Sequence, residues 1–370
     1  MLKVACPQQA LLESVGIVSR GVSGRSTQPV QNNIYLEARG SQLRLLATDL
    51  EYLSLEAVLD ADVVEEGATT VPARLIADVM NALPNDDVKL TSNESHGLNI
   101  MCGRSKYDIR GLSAADFSTL PELNNPLEFE IPQDKLAQVL QRTVFATSRD
   151  ETRPILTGGL FKITDNALEV VATDTYRLAL HSLPLEGEFA DSRSAIVSRR
   201  ALSELMRIIE AGSSEPVQIR MSDSQIEFKV GHVTLSSRLI EGQFVNYGKV
   251  VPSSHERKVI CNIKELSSAL HRALIVARED ANRVVLKTED GSLKITASSQ
   301  DVGNVEEAIP MQLEGEDAEI AFNARFVLDM LDAVGGTEIA MELSGPLNSG
   351  ALKPVGDDTY LYVLMPMQIM

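Results

Sequence analysis

Apolar and polar residues follow two different periods along this chain, and the two periods alternate in a fixed order. Near the start, Leu11 and Val15 belong to an apolar series that recurs every three to four positions, and Leu75 and Val79 belong to another. Such spacing is typical of the buried face of a helix. Between residues 33 and 60, apolar residues fill every second position, as in strands with one buried face. The pattern predicts amphipathic helices that alternate with groups of hairpin strands.

This arrangement occurs three times. Leu43, Leu168 and Leu293 occupy equivalent places in segments of similar sequence, and successive copies lie 125 residues apart. A helix-like segment comes before each copy and a second one follows it. An internal repeat of this length indicates domains that fold alike. We therefore predict an α+β fold of three tandem domains, which cover residues 1–125, 126–251 and 252–370.

The charge limits the classes of function. With 34 basic and 52 acidic residues, the formal net charge is −18. This charge argues against a domain that is basic throughout and binds nucleic acid tightly. The helix-like segments are nevertheless weakly basic when taken together, and at physiological salt a surface patch acts over only about 8 Å. A local surface that faces DNA therefore remains compatible with the sequence.

Cysteine usage and hydropathy bear on location. Cys6, Cys102 and Cys261 form no CxxC pair and have no metal-ligand spacing with the five histidines. An odd and sparse set of cysteines is typical of a reducing compartment, so we expect a cytoplasmic protein. No stretch reaches membrane-spanning length and the start lacks a signal-peptide core, so we expect no membrane attachment.

Catalytic motifs are absent from the sequence. It contains no GxSxG elbow, HExxH helix, Walker loop or GxGxxG loop. Asp49 and Asp174 stand in equivalent Ala-Thr-Asp triplets, either as catalytic carboxylates or as residues of a turn at a strand end. Because the repeat places them in different domains, we favour the turn. We therefore predict that the protein is not an enzyme and holds no metal and no cofactor.

Three segments carry a resemblance to a known family: VATDTYRLAL at residues 171–180, LIEGQFVNYGKVVP at 239–252 and YVLMPMQIM at 362–370. Together with the threefold repeat, they resemble the beta sliding clamp of bacterial DNA polymerase III over the whole chain. The resemblance implies three clamp domains in a head-to-tail homodimer. Their helices would line a ring around double-stranded DNA, held without sequence preference, and their antiparallel sheets would lie outside. The implied partners are the DNA polymerase III alpha subunit, the clamp loader and other proteins with a clamp-binding motif.

The resemblance also implies a hydrophobic pocket for partner peptides between the second and third domains. Two positions depart from the family pattern, because Val245 stands where proline is common and Tyr176 where a small polar residue or histidine is frequent. The preferred peptide is therefore expected to differ. From the sequence alone, the final methionines are interpreted equally well as packed residues at a strand end. The residues assigned to the pocket are Leu156, Thr173, Thr175, Tyr176, Arg177, Leu178, Val245, Lys249, Val250, Asn323, Phe326, Leu347, Ser349, Val363, Met365, Pro366 and Met367.

The resemblance assigns two further surfaces. The arginines expected to face DNA are Arg25, Arg74, Arg149, Arg199, Arg200 and Arg207. The dimer contact is expected to join a first-domain strand to the third domain of a second copy, through Lys106, Tyr107, Ile109, Ile275, Val276 and Glu307.

Two other classes of function stay open on the sequence. The first is a protein-binding scaffold that keeps the fold without encircling DNA, and failure to form a closed dimer would favour it. The second is an enzyme with scattered carboxylates or histidines, and turnover that is lost on mutating Asp174 would favour it. The sequence also leaves open whether a ring closes from two chains or from three.

Overall fold

The computed structural model describes most of the chain, namely residues 1–22, 28–50, 52–164, 166–187 and 192–369. These residues form two compact units. The first unit contains Met1–Ala137 and Arg200–Leu239, and the second contains Gln138–Arg199 and Ile240–Met370. The division runs through the second predicted domain, so the domain boundaries drawn from the repeat stay a prediction.

Six α-helices occur among the described residues, two in each sequence repeat, and each begins directly after a strand. Pro7 and Pro72 are N-cap residues with φ of −61° and −56°, values that the proline ring fixes. Asn262 and Asn323 cap the last two helices with side-chain oxygens that accept backbone N–H bonds. The helices are α1 (Gln8–Val18), α2 (Ala73–Ala82), α3 (Gln133–Thr143), α4 (Arg199–Ile208), α5 (Ile263–Ala277) and α6 (Ala324–Ala333).

The first unit contains two antiparallel sheets. The smaller has, in spatial order, β5 (Asp62–Glu65), β1 (Lys3–Pro7), β7 (Asp87–Ser92), β8 (Leu98–Cys102) and β9 (Ser105–Ile109). The larger has β10 (Leu127–Pro132), β15 (Pro216–Met221), β16 (Gln225–Val230), β17 (Val233–Arg238), β4 (Ser54–Asp60), β3 (Gln42–Thr48), β2 (Asn33–Arg39) and β6 (Gly67–Pro72). In the larger sheet β17 pairs with β4, with Leu235 opposite Leu55. Strands of the first and second sequence repeats therefore form one continuous sheet.

The second unit is built on a single antiparallel sheet of twelve strands. In spatial order these are β14 (Arg193–Ser198), β11 (Gly158–Thr164), β12 (Ala167–Thr173), β13 (Arg177–Pro184), β25 (Tyr360–Leu364), β24 (Gly350–Pro354), β23 (Glu338–Leu343), β18 (Arg257–Asn262), β21 (Gly303–Glu314), β20 (Ser292–Ser299), β19 (Arg283–Glu289) and β22 (Glu319–Asn323). Here β13 pairs with β25, with Leu178 opposite Val363. The second and third repeats are therefore joined in the same way.

Several strands leave backbone groups open to a further strand, and β9 and part of β21 are among them. β9 is the last strand of the five-stranded sheet. β21 pairs with β20 over residues 303–310 and with β18 only over residues 311–314. Within the described part of the chain, residues 303–310 therefore have a strand partner on one side only. Unpaired strand edges of this kind accept another chain readily.

The helices cover the apolar faces of the sheets. Leu11 and Val15 of α1 are fully buried, as their spacing predicted. The spacing was wrong for Leu75 of α2, which is 45% exposed, because Ile76 and Met80 take the buried face. Fully burying a leucine or valine side chain contributes roughly 1.5–3 kcal/mol, so these faces account for much of the stability of each unit. No helix in the described ranges is long and apolar enough to cross a membrane.

Candidate functional site

Residues 173–177 form a tight turn between β12 and β13. The hydroxyl of Thr173 donates to the carbonyl oxygen of Arg177 at 2.6 Å. The Asp174 carboxylate accepts the backbone N–H groups of Tyr176 and Arg177 at 3.0 and 3.1 Å. Thr175 has a φ of +81°, which strains a β-branched residue. The Asp174 carboxylate is thus committed to a strand-end turn, and that prediction is confirmed.

The side chain of Arg177 is buried at the base of this turn. Its guanidinium donates to Asp174 at 3.1 Å, to Asp329 at 2.5 Å and to the carbonyl oxygen of Phe145 at 3.1 Å. The same guanidinium lies 4.4 Å from the centre of the Phe326 ring. The Tyr176 ring stacks against Phe326 with 6.5 Å between ring centres, and it remains 62% exposed. Arg177 therefore fixes the turn from below, while Tyr176 presents an aromatic surface at its rim.

A second wall comes from the chain that follows β17. Ile240 begins it, with its backbone N–H donating to the carbonyl oxygen of Ile196 at 2.8 Å. Further on, residues Tyr247–Lys249 make one turn of 3₁₀ helix. Phe244 and Val250 pack partly buried against the apolar residues of the twelve-stranded sheet. This wall thus rests on the sheet without being a strand of it.

The two walls and the end of β25 enclose a cavity of about 150 Å³, called the pocket below. Met365 closes one side, because its backbone N–H donates to the carbonyl oxygen of Tyr176 at 2.9 Å. The lining is largely apolar, so the pocket is suited to bury apolar side chains of a ligand. The lining residues are Thr173, Thr175, Tyr176, Arg177, Leu178, Val245, Asn246, Tyr247, Val250, Val363 and Met365.

Nine of the seventeen residues assigned to the pocket from the sequence line this cavity, and eight do not. Phe326 lies behind Tyr176, and Asn323 caps α6. Leu156 is buried at 2% exposure, whereas Leu347 is 75% exposed. Of the remaining four, Lys249 lies in the second wall, Ser349 precedes β24, and Pro366 and Met367 follow Met365, and none of them lines the cavity.

Two residues that line the pocket were missed. Asn246 and Tyr247 lie between Val245 and Val250 in the segment LIEGQFVNYGKVVP. Their position in the sequence could have identified them. Residues between two lining residues that are only five positions apart are themselves expected to lie close to the cavity. Tyr247 has a further role, since its hydroxyl donates to Glu169 at 3.0 Å.

The described residues that line the pocket include no Cys, His, Asp or Glu. Burial raises the pKa of the Cys6 and Cys261 thiols to about 12, so both stay protonated near neutral pH. Within the described ranges, no three His, Cys, Asp or Glu residues are grouped so as to hold a metal ion. The pocket offers a ligand apolar surface and a few hydrogen-bonding groups.

The arginines expected to face DNA are in different states. Arg200 donates to Asp49 at 2.5 Å, and Arg207 to Glu204 at 2.8 Å, so nearby carboxylates offset both charges. Arg199 is half-buried, and its pKa is lowered by burial and then by the positive charge of Arg149. A like-charged pair of this kind favours a bound anion. Arg74 is exposed on α2, and Arg25 lies outside the described residues.

The residues expected at the dimer contact lie on β9, on β21 and on α5. Tyr107 on β9 is 37% exposed and Ile275 on α5 is 66% exposed. Glu307 on β21 forms a two-bond ion pair with Arg272, at 2.8 and 2.6 Å. The side chain of Ile109 is 4% exposed and belongs to the core of its own unit, so this residue could take part in a contact only through its backbone. Lys106 is exposed and Val276 is partly buried.

Family models match nearly the whole chain. The model of the N-terminal domain of the DNA polymerase III beta subunit matches residues 2–121. The central-domain model matches residues 130–246, and the C-terminal-domain model matches residues 248–368. The chain belongs to the DNA polymerase III beta subunit family. It is therefore a sliding clamp of DNA polymerase III and not an enzyme, as the sequence predicted.

Relatives in this family are similar over their full length. The beta sliding clamp of Synechococcus elongatus is 36% identical over 375 residues, with all of both chains covered. The beta sliding clamp of Escherichia coli is 32% identical over 368 residues, again with full coverage. The crystal structure of the DNA polymerase sliding clamp from Bacillus subtilis matches with a TM-score of 0.95 at 29% identity, covering all of both chains. The predicted fold of three tandem clamp domains is thereby confirmed.

Proposed function

We propose that the chain closes as a head-to-tail homodimer around double-stranded DNA and tethers its partners through the pocket. The partners are the DNA polymerase III alpha subunit, the clamp loader and other proteins with a clamp-binding motif. One observation carries the proposal: Leu178, Val363 and Met365 line the same enclosed cavity as Val245 and Val250. We further propose that this takes place in the cytoplasm, which the three free cysteines support.

The pocket fits the apolar end of a short peptide. Each apolar anchor buried there contributes roughly 1.5–3 kcal/mol, so two or three support micromolar binding after the costs of association. Methionine at the rim adapts to ligands of different shape, which suits a surface shared by several partners. The exposed ring of Tyr176 adds an aromatic surface beside the opening.

Fluorescence polarisation with a labelled peptide that contains Gln-Leu-x-Leu-Phe tests the pocket. We expect saturable micromolar binding, weakened about tenfold by Met365→Ala because one apolar contact is lost. Met206→Ala is the matched control, since Met206 is equally exposed at 37% and does not line the pocket. Affinity that is equal in wild type and Met365→Ala would remove the pocket from the proposal.

Two open strand edges support the dimer. β9 of one copy and residues 303–310 of β21 in a second copy each lack a strand partner on one side among the described residues. Pairing these edges would satisfy their backbone groups and bury Tyr107 and Ile275. The proposal requires a rotation between the two copies that closes the ring, because a head-to-tail contact without closure would extend into a filament.

Analytical ultracentrifugation tests the dimer. We expect Ile275→Asp to shift the protein from dimer to monomer, because burying an unpaired carboxylate opposes association. Val64→Asp is the control, since Val64 is 64% exposed on β5, at the opposite edge of the five-stranded sheet. A wild-type protein that is monomeric at micromolar concentration would favour the protein-binding scaffold instead.

The charge distribution supports sliding rather than tight binding of DNA. The chain carries −18 overall, while two of the arginines expected to face DNA are already paired with carboxylates. Few free phosphate contacts keep the affinity low and weakly dependent on salt. Arg149→Glu is expected to reduce retention on circular DNA, whereas Arg39→Glu, at an exposed hairpin end, leaves retention unchanged.

A further inference from the structure

A group of three hydrogen-bonded side chains lies beside the pocket, and we call it the Tyr247 triad. The Tyr247 hydroxyl donates to Glu169 Oε2 at 3.0 Å and lies 3.4 Å from Lys162 Nζ, which donates to it. Lys162 Nζ also lies 3.2 Å from Glu169 Oε2. The Tyr247 ring lines the pocket, whereas Lys162 and Glu169 do not. The hydroxyl therefore connects the pocket lining to residues outside it.

Both partners of Tyr247 belong to the sheet. Lys162 lies on β11 directly opposite Glu169 on β12, in a ladder of consecutive backbone pairs. The Lys162 ammonium also lies 5.9 Å from the centre of the Tyr247 ring. The hydrogen bond to Glu169 raises the pKa of Lys162, so its charge is secure at neutral pH. The sheet thus offers Tyr247 a fixed and charged anchor.

Residues 241–251, here called the wall segment, have few other attachments. In the described part of the chain, their backbone hydrogen bonds join members of the segment to each other. For example, the Val250 N–H donates to the backbone carbonyl oxygen of Tyr247 at 2.9 Å. The side-chain hydrogen bonds that link the segment to other described residues are those of Tyr247. Apart from these bonds, the segment is held by partly buried contacts of Phe244, Val250, Val251 and the Tyr247 side chain itself. Nondirectional apolar contacts alone leave a segment free to shift.

We propose that Tyr247 is a positioning residue of the pocket, whose bonds to Glu169 and Lys162 hold the wall segment where Val245 and Val250 line the cavity. The proposal rests on the peptide-binding function proposed above. Only the fraction of molecules with the wall segment in place binds a peptide at full strength, so losing the triad lowers the apparent affinity. For one hydrogen bond to a charged, partly exposed group, the expected loss is about fivefold.

Tyr247→Phe is the primary test, since it removes only the hydroxyl and keeps the ring. We expect the Gln-Leu-x-Leu-Phe peptide to bind about fivefold more weakly, mainly through faster dissociation. Glu169→Gln should have a smaller effect of the same sign, because the amide oxygen still accepts the hydroxyl but the charge is lost, and the double variant should be no weaker than Tyr247→Phe, since the hydroxyl is then already absent. Glu289→Gln is the control. Glu289 forms comparable ion pairs with Lys287 on β19 and Lys294 on β20, and none of these residues lines the pocket.

Amide hydrogen exchange separates positioning from a general loss of stability. The backbone N–H groups of Val250 and Val251 both donate to the backbone carbonyl oxygen of Tyr247. In the free Tyr247→Phe variant, these two amides should exchange faster than in wild type. Saturating peptide should restore their protection, while amides of β18 and β23 stay unchanged throughout. Such recovery is not expected if the substitution merely weakens the unit.

The outcomes separate this inference from the function on which it rests. A wild-type protein that does not bind the peptide would refute the pocket, and with it any role for the triad. Wild-type binding that Tyr247→Phe and Glu169→Gln leave unchanged would refute the triad alone. Weaker binding with unchanged exchange in the wall segment would also overturn the positioning role, because the hydroxyl would then act directly on the peptide.

Discussion

The Ala-Thr-Asp turns of the first and second repeats have the same hydrogen bonds, yet only the second turn lines the pocket described above. In the first turn, Thr48 donates to the carbonyl oxygen of Leu53 at 3.0 Å, and Asp49 accepts the N–H groups of Tyr52 and Leu53 at 2.9 Å each. Leu50 has a φ of +62° there. The threonine hydroxyl bond, the aspartate that accepts two backbone N–H groups and the residue with positive φ are therefore present in both turns.

The two turns differ in what surrounds them. The second oxygen of Asp49 accepts from Arg200 of α4 at 2.5 Å, while the second oxygen of Asp174 accepts from Arg177 of its own turn. The first turn also presents a tyrosine, since Tyr52, the equivalent of Tyr176, is 43% exposed. In the second turn, Tyr176 is 62% exposed and lines the pocket together with the wall that follows β17. The repeat thus supplies a rigid turn in both places, and at the second turn the neighbouring wall completes the pocket.

The largest expected effect separates the two aspartates. Asp49→Ala and Asp174→Ala should each lower the free energy of unfolding by about 3 kcal/mol, since each removes two backbone bonds and an arginine partner. Only Asp174→Ala should also weaken peptide binding, by at least about tenfold, because it releases Arg177 and the pocket rim. Urea unfolding and fluorescence polarisation measure the two effects. Equal loss of peptide affinity in both variants would contradict the contrast between the turns.

The next effect concerns pH and a buried histidine. His181 on β13 occupies the place that Ala57 holds on β4, and both are buried. Burial, and then the positive charge of Arg142, lowers the pKa of His181 from 6.5 to about 4. Below pH 6.5 the unfolded chain takes up a proton that the folded chain refuses, so stability falls down to about pH 4. The full loss is about 3 kcal/mol, at 1.4 kcal/mol per pH unit.

His181→Ala introduces the residue of the first repeat and should remove most of this dependence. Unfolding measured at pH 7 and pH 4.5 gives the comparison with wild type. A separate loss below about pH 4 should remain, because the hydroxyl of Thr359 and the Arg142 side chain hold the pKa of Asp357 below its usual value despite its burial. An unchanged pH dependence in His181→Ala would show that His181 is not the responsible group.

The smallest effect tests the strained residues. Thr175 is exposed and Leu50 is half-buried, although both have positive φ. Thr175→Gly should raise the free energy of unfolding by roughly 0.5–1 kcal/mol, because relief of strain exceeds the added freedom of the unfolded chain. Leu50→Gly should lower it, since the leucine contacts are lost. A loss of stability in Thr175→Gly would mean that its side chain contributes more than the strain costs.

Much of the fold could be predicted from the sequence because helices and strands differ in period. Leu11 and Val15 are buried as expected. The internal repeat also located the three segments of the chain that share one pattern of helices and strands. The joins between repeats could not be predicted, because the pairing of β17 with β4 and of β13 with β25 depends on contacts between distant strands. Leu75 was placed wrongly because α2 is short, and two neighbouring faces fit its apolar residues almost equally.

The pocket could be predicted only in part. Residues on or beside regular strands, such as Leu178 and Val363, line it as the family resemblance implied. The wall segment has no regular period, so nothing in its pattern marked Tyr247 as part of the lining. Lys162 and Glu169 were missed because a cross-strand ion pair looks the same in sequence whether or not a tyrosine bonds to it.

Primer extension on singly primed circular DNA tests most directly whether the chain is a ring that tethers a polymerase through the pocket. The assay contains the cognate DNA polymerase III alpha subunit and clamp loader, with and without the chain. Wild type should lengthen the products, and excess Gln-Leu-x-Leu-Phe peptide or Met365→Ala should shorten them again. Product lengths that do not change when the chain is added would contradict the account.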